Sequence, residues 1–538
     1  MDLKLILLRI PSDQMKKFFG SDYFEYLNYF VVDLLNDEDL ILKFYETEEA
    51  VNIISDPVKL EIIISVLNEK ERQFLYSLFG LSLSTASATF VDELDHSKSS
   101  IDKLFSFFGE IHVPIKDAKI HDFIKIQPIQ DELLNYGLFD HQQRAAELSI
   151  KFLSDGYRQR TLLHMPTGSG KTRTAMKIAI DFLNLQPDSI VIWITNSKVL
   201  CRQATTEFET AWRRIGTYPS YSYRFYTSTR TIEVKRGFFV STFQKLYMSM
   251  RSDREMIGLI RSKCSLIVVD EAHISVAKSY YEVLDFIMSY SFPTIPLLGL
   301  SATPGRSTFS SVNNEKLVEF FSNNKVILSI KDYQNPVSFL LEKGYLSNVT
   351  FYRDNLEDYS DDDLDREMLN IVGTAPLPDS EVSQSKLIRI GRLIHWINHF
   401  SAEAKRIIVF TTSVSEAYLL ALILRLQSIW SYAVSNITDV SKRKRILDSY
   451  HDDDPSLKIL TNFEVLATGF DAPQTDGLII ARRTKSIRLY NQMVGRARRG
   501  PLAGGKEETF VVTMLPKEFR EFDELLSGYL NWEEIWLE

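Results

Sequence analysis

The 538-residue sequence has only two cysteines, Cys201 and Cys264. Two thiols cannot build a disulfide framework or a four-ligand zinc site, and so few of them fit a reduced, cytoplasmic setting. No apolar run reaches the roughly 18 residues that a membrane helix needs, so no membrane association is expected. The opening MDLKLILLRI is too short and too interrupted by charge for a signal peptide, and it reads as a first strand. Short-period repeats and low-complexity tracts are absent. So is a nuclease constellation: Glu233-Val-Lys235 has the letters of a fragment of one, but no upstream carboxylates accompany it.

An excess of positive charge is also missing. The formal net charge is −9, with 45% apolar and 25% charged residues. This is an ordinary soluble composition that can bury a sizeable core. Residues 1–125 hold 13 Lys+Arg against 22 Asp+Glu, while the rest of the chain has 49 of each. The acidity therefore belongs to an N-terminal module, and the remainder carries no like charge to repel phosphate.

Residues 1–125 are rich in aromatic and aliphatic stretches without a chemical motif, and their mixed three- and four-residue spacing predicts a mostly helical accessory domain. From 126 to 330 short β-branched runs (SIVIWIT, GFFVST, SLIVVD, PLLGLSAT) alternate with helical stretches, which predicts an α/β lobe with a parallel sheet. Residues 331–380, with YSDDDLDREMLN and TAPLPDSE, read as a linker. A second α/β lobe is expected over 381–515 from RIIVFTT, LKILTNF, DGLIIAR and TFVVTML. Residues 516–538 read as an amphipathic helical tail.

The strongest chemical signal is Met165-Pro-Thr-Gly-Ser-Gly-Lys-Thr172, between a strand and a helix. Closely spaced glycines let backbone N–H groups face phosphate, and the following helix adds its positive end. Pro166, Thr167, Gly168, Ser169, Gly170, Lys171 and Thr172 are the expected ATP cradle. Lys171 reaches the β and γ phosphates, and Thr172 ligates Mg²⁺. Met165 stands where the usual pattern has glycine. A second signal is Asp270-Glu271-Ala-His273, delivered by an apolar strand: Asp270 for the Mg²⁺ shell, Glu271 for the attacking water. Taken alone, such a pair is equally well a helix cap.

Together these motifs resemble the superfamily 2 helicases and translocases, in the branch with a DEAH-type second motif. The stretches FLLEKGYLSNV and ARRTKSIRLYNQMVGRARRG resemble the part of that branch holding the DNA-repair helicase of transcription factor complexes, type I restriction motors and a phage recombination helicase. The resemblance covers about residues 130–515 and implies two tandem RecA-like lobes closing over ATP and Mg²⁺. It implies adenine reading by Gln142, with His141 replacing the family's aromatic. His273, Ser301 and Thr303 would couple hydrolysis to lobe movement, and Gly469 and Asp471 would face ATP. Gln492-Met-Val-Gly-Arg496-Ala-Arg-Arg499 matches the arginine motif, making Gln492, Arg496 and Arg499 catalytic candidates. Ser197, Lys198, Thr242, Gln244, Thr411, Thr412 and Thr461 would contact nucleic acid, with Asn196 replacing the family's proline.

The function this implies is an ATP-dependent DNA helicase or translocase acting on duplex, branched or single-stranded DNA, in repair or recombination. Three readings compete with it. One is the motor subunit of a restriction or anti-phage system, with a nuclease or other protein partner bound through residues 1–125. The others are an ATP-switched nucleic-acid binder and an RNA helicase.

Overall fold

The computed structural model describes residues 1–31, 36–82, 85–94, 98–109, 123–129, 136–155, 159–166, 168–226, 235–252, 254–272, 278–288, 294–301, 311–328, 330, 333, 336–354, 381–467, 474–482 and 487–514. The strands are β1 Phe123–Ile126, β2 Arg160–His164, β3 Ile190–Thr195, β4 Ser220–Arg224, β5 Gly237–Thr242, β6 Cys264–Asp270, β7 Leu297–Ser301, β8 Lys325–Ile327, β9 Asn348–Asp354, β10 Arg406–Phe410, β11 Trp430–Ala433, β12 Lys458–Asn462, β13 Gly477–Ile480 and β14 Glu508–Met514.

They form two sheets. The first has eight strands in the order β1-β4-β5-β3-β6-β7-β2-β8. Its pairings are parallel except where β1 lies antiparallel on β4. The second has six strands in the order β11-β12-β10-β13-β14-β9, all parallel. Buried parallel strands need apolar side chains on both faces. β3 reads IVIWIT and β10 reads RIIVF, with every residue buried. Each of the eight runs expected from the sequence falls on one of these strands, in an α/β protein of two RecA-like lobes.

Two expectations are corrected. The opening segment is a helix, Leu3–Leu7, rather than a strand, with the Asp2 carboxylate accepting from the Lys4 backbone N–H. Its buried residues are Leu3, Ile6 and Leu7, which follow a helical period that a short apolar run does not reveal. The stretch 331–380 is not only a connection: its helix Pro336–Glu342 places Leu340 in the first lobe's core, and β9 is an edge strand of the second sheet. The acidic run at 360–366 and the tail 516–538 lie outside the described residues.

Among the described residues of 3–107, every regular element is a helix. Local signals set the helix ends. Asn68 and Glu71 form a reciprocal capping box, and Gly80 (φ +72°) closes the same helix. These helices do not stand apart. Their apolar face shares one core with helix Glu381–Phe400, helix Val414–Leu426 and the second sheet. Helix Val414–Leu426 is buried from Glu416 to Leu424, so it is covered on both sides. A helix that is apolar all round needs such a cover. Polar contacts rim the junction. Lys43 Nζ donates to the Arg425 carbonyl (2.7 Å), Gln427 Nε2 to the Phe30 carbonyl (2.9 Å), and Lys442 Nζ to the Glu48 carbonyl (2.9 Å). Lys442 also pairs with Glu49 at 3.2 Å, and Arg425 pairs with Glu46. Part of the module's acidity is thus spent on the second lobe.

Candidate functional site

The phosphate-loop segment leaves β2 and enters helix Lys171–Leu185. Gly168 (φ +89°) and Gly170 (φ +86°) take the left-handed conformation that glycine tolerates. Met165 does not, and its side chain lies fully buried in the first lobe's core. The missing first glycine is therefore not needed for backbone freedom at this position. Pro166 O accepts from both the backbone N–H and the hydroxyl of Ser169 (3.1 and 2.7 Å), closing the turn.

Gln142 braces this loop. Its Nε2 donates to Ser169 O at 2.8 Å, and its Oε1 accepts from the Phe139 backbone N–H at 3.1 Å. The side chain is 2% exposed. A Cβ on Gly170 would sit 2.2 Å from Gln142 Nε2, so the glycine leaves the space that the amide fills. Gln142 thereby ties Phe139, at one end of the cleft, to the phosphate loop at the other.

Asp270 ends β6 and is buried. Burial raises its carboxyl to about 6, helped by neighbouring Glu271 and opposed by Lys171. Its Oδ1 accepts from the Glu271 backbone N–H (3.0 Å). Glu271 itself has φ +57°, a left-handed conformation that costs a non-glycine residue energy and turns it away from the strand direction.

The second lobe closes the cleft. Gln492, in helix Ile487–Val494, donates from Nε2 to Glu271 Oε1 at 3.0 Å. Its own Oε1 is buried without a partner among the described residues. Arg496 is held by its Nε and Nη2 on the Ala467 carbonyl (3.2 and 2.7 Å), and burial lowers its guanidinium to about 10. Burial lowers Arg499 too. One cleft of about 480 Å³ is lined by Gln142, Pro166, Gly168, Ser169, Gly170, Lys171, Thr172, Asp270, Glu271, Gln492, Arg496 and Arg499. Phosphate-loop residues, carboxylates and arginines from distant parts of the chain thus meet in one place.

Sequence reasoning missed part of this cleft. Tyr345 lines it, with its ring 4.5 Å from Phe139 and 4.9 Å from His141. Tyr345 belongs to the segment read as a linker; it lies within the stretch FLLEKGYLSNV, whose resemblance points to the family but gives this residue no role. Phe139 is 39% exposed and supplies an aromatic face two residues before His141, whose imidazole is pulled down to about 4 by burial. Arg173 also lines the cleft and lies over the Tyr136 ring at 4.4 Å.

The expected nucleic-acid contacts divide. Ser197 caps helix Lys198–Ile215 by accepting from Leu200 N, and Lys198 is exposed beside it. Thr242 accepts from Lys245 N, and Gln244 is exposed. Thr412 is half-buried, donating to Glu416 Oε2 (2.8 Å). Thr411 and Thr461 are corrected: both are fully buried. The Thr411 hydroxyl donates to Ser413 O and Thr461 to Ala417 O (2.8 and 2.7 Å), so these side chains hold the lobe together. Ser301 is fully buried at the end of β7, and its carbonyl accepts from Met165 N (3.2 Å). Thr167, His273, Thr303, Gly469 and Asp471 lie outside the described residues.

Comparison with known proteins fits this geometry. Residues 135–306 match the family described as "Type III restriction enzyme, res subunit", and residues 386–500 match "Helicase conserved C-terminal domain". The chain belongs to the superfamily 2 helicases. A 51.5 kDa protein of a Lactococcus phage (isolate 7-9) is 25% identical over 244 residues, covering 44% of this chain and 46% of the phage protein. The type I restriction enzyme EcoKI endonuclease subunit of Escherichia coli (strain K12) is 23% identical over 399 residues, 68% of this chain and 33% of that subunit. A structure of the ATP-dependent type ISP restriction-modification enzyme LlaBIII bound to DNA has a TM-score of 0.49 at 17% identity, over 73% of this chain and 30% of that one. The chain spans less than half the length of each of these relatives. No described helix of this superfamily 2 protein is long and apolar enough to cross a membrane.

Proposed function

We propose that the chain is an ATP-driven DNA translocase or helicase whose lobes close over ATP and Mg²⁺. The observation that carries this reading is the 3.0 Å contact between Gln492 and Glu271, which joins the arginine segment of one lobe to the carboxylate pair of the other. Lys171 and the loop N–H groups hold the β and γ phosphates. A divalent cation suits the site, because Asp270 is a buried carboxylate beside Glu271, and among the described residues its charge is opposed by Lys171 and one backbone N–H. Thr172 and Asp270 would hold Mg²⁺, which when bound would neutralise charge on the phosphate oxygens.

Glu271 accepts a proton from the attacking water, whose oxygen bonds the γ phosphorus as the bond to the ADP oxygen breaks. Gln492 Oε1, buried and without a partner among the described residues, would accept from the same water. Arg496 and Arg499 stabilise the charge that grows on the γ oxygens. Because ATP and ADP favour different lobe separations, each cycle moves the second lobe against the first. Thr242 ends a strand, Ser197 and Thr412 follow strands, and Lys198 and Gln244 stand in the first turns of the helices that come next. Sheets of α/β proteins present ligands at such ends, and these residues suit a phosphate backbone read without base contacts.

DNA is preferred to RNA because the similar proteins include a DNA helicase of Pyrococcus abyssi and restriction endonuclease subunits of Escherichia coli. A second reading, a cytoplasmic restriction or antiviral motor paired with a separate nuclease, is favoured by the EcoKI subunit aligning over 68% of this chain. Co-purification with the products of neighbouring genes separates that reading from an autonomous helicase. The primary test is steady-state ATPase with duplex DNA, single-stranded DNA or RNA at matched salt. DNA stimulation in the wild type and none in Lys171→Ala is expected. Equal turnover in both, or stimulation by RNA alone, overturns the reading.

A further inference from the structure

The segment between the lobes does more than connect them. After helix Pro336–Glu342 the chain turns at Gly344 (φ +72°). Tyr345 then enters the aromatic end of the cleft, and Leu346 is 2% exposed in the first lobe's core. A Cβ built on Gly168 would meet Leu346 Cδ2 at 3.2 Å and the Arg498 carbonyl at 3.8 Å. Leu346 therefore lies directly against the phosphate loop.

The same residues are laced to the arginine segment. Ser347 N donates to Arg498 O (3.1 Å), Gly500 N to Tyr345 O (3.1 Å) and Leu502 N to Gly344 O (3.0 Å). Leu346 and Arg499 form an antiparallel bridge. The fully buried Ser347 hydroxyl faces the carbonyls of Arg499 and Lys506. Gly500 approaches so closely that a Cβ there would fall 2.3 Å from Gly344 O. Immediately afterwards β9 enters the second sheet beside β14.

We infer that Gly344–Ser347 is a positioning strap for the arginine segment. It fixes where Arg499 stands relative to Gly168, and through Tyr345 it links the base end of the cleft to that placement. The strap touches the phosphate loop with Leu346 side-chain atoms and the arginine segment with backbone hydrogen bonds. A shift at Tyr345 is thus transmitted to Arg499 along two residues of chain. Misplacement by about 1 Å in a preorganised site costs up to a hundredfold in rate. The strap acts on the chemical step rather than on nucleotide affinity.

This inference rests on the proposed ATPase. The test is steady-state ATPase of the full chain, with Ser347→Ala and Gly500→Ala each made alone and together with Arg499→Ala. Tyr345→Ala, alone and with Arg499→Ala, probes the aromatic end. Ser347→Ala and Gly500→Ala should lower kcat about ten- to a hundredfold with KM for ATP within about twofold. In the Arg499→Ala background they should cause no further loss, because they act through that arginine. Tyr345→Ala should lower kcat as well, and that loss too should disappear in the Arg499→Ala background. Equal losses in both backgrounds, a change confined to KM, or full kcat in Ser347→Ala and Gly500→Ala overturns the strap while leaving the ATPase reading intact. A wild type that does not hydrolyse ATP overturns both.

Discussion

Gln492 and Glu271 are 221 positions apart in sequence, and their side chains meet at 3.0 Å across the cleft. Glu271 accepts the contact from a left-handed backbone (φ +57°), so the strained residue is also the one that the opposite lobe touches. The carboxylate proposed to activate water is thus held by a side chain from the opposite lobe.

Glu271→Gln should retain ATP binding and lose hydrolysis by about 10²–10⁴-fold, the usual worth of a general base. Gln492→Ala should lower kcat about tenfold with KM little changed, because it removes an orienting group. Single-turnover hydrolysis beside equilibrium binding of a fluorescent ATP analogue measures both.

The phosphate loop gives a second expectation. Gly170→Ala places a Cβ within 2.2 Å of Gln142 Nε2 at φ +86°. It should destabilise the protein by about 1–3 kcal/mol and weaken nucleotide binding by at least tenfold. Thermal unfolding with and without ATP reads both effects, and an unchanged unfolding temperature would show that the loop relaxes freely.

The strands were legible because buried parallel strands need uninterrupted apolar runs such as IVIWIT. The phosphate loop was legible because glycine spacing has a backbone cause, now visible at Gly168 and Gly170. Tyr345 was not legible. Its stretch, FLLEKGYLSNV, carried a family resemblance but no role for the ring, and the turn at Gly344 brings it to Phe139. Thr411 and Thr461 look like surface hydroxyls at strand ends, but the carbonyls of Ser413 and Asn462 take the first and that of Ala417, in helix Val414–Leu426, the second, a packing fact that no local pattern carries. The docking of residues 3–107 on that helix was hidden for the same reason: a helix apolar all round announces burial without saying by what.

Arg496→Lys should not substitute for arginine. The Arg496 fork makes two contacts to the Ala467 carbonyl, a geometry a lysine lacks. Both Arg496→Lys and Arg496→Ala should lower kcat about 10³-fold or more, in line with arginines supplied across a cleft. A lysine variant within a few-fold of wild type would assign the role to Arg499 alone.

The junction between the N-terminal helices and the second lobe should respond to pH through Glu48. Burial raises its carboxyl, opposed by Asn52, the Glu49 backbone and two lysines. A carboxyl raised on folding favours the protonated form. Its contribution is fully present below the ordinary glutamate value and is lost as pH rises through the higher folded value. Glu48→Gln should therefore raise the unfolding temperature at pH 7.5, and the difference should vanish below about pH 4. A variant less stable than wild type at pH 7.5 would show that the charge is favourable there.

Lys198 and Thr411 should behave differently on DNA. Lys198→Ala should weaken binding across sequences and reduce the salt slope by about one unit. Thr411→Val should leave that slope unchanged and lower stability, because its hydroxyl is spent on Ser413 and Asn462. Binding titrations over a range of salt, beside thermal unfolding, distinguish the two.

Displacement of a short third strand from duplex DNA, followed in time with and without ATP, most directly tests coupling of this cleft to movement. Displacement should require ATP, should arrive later as the distance to the triplex grows, and should be absent in Glu271→Gln. ATP hydrolysis stimulated by DNA with no displacement at any distance would contradict translocation and leave an ATP-switched DNA binder.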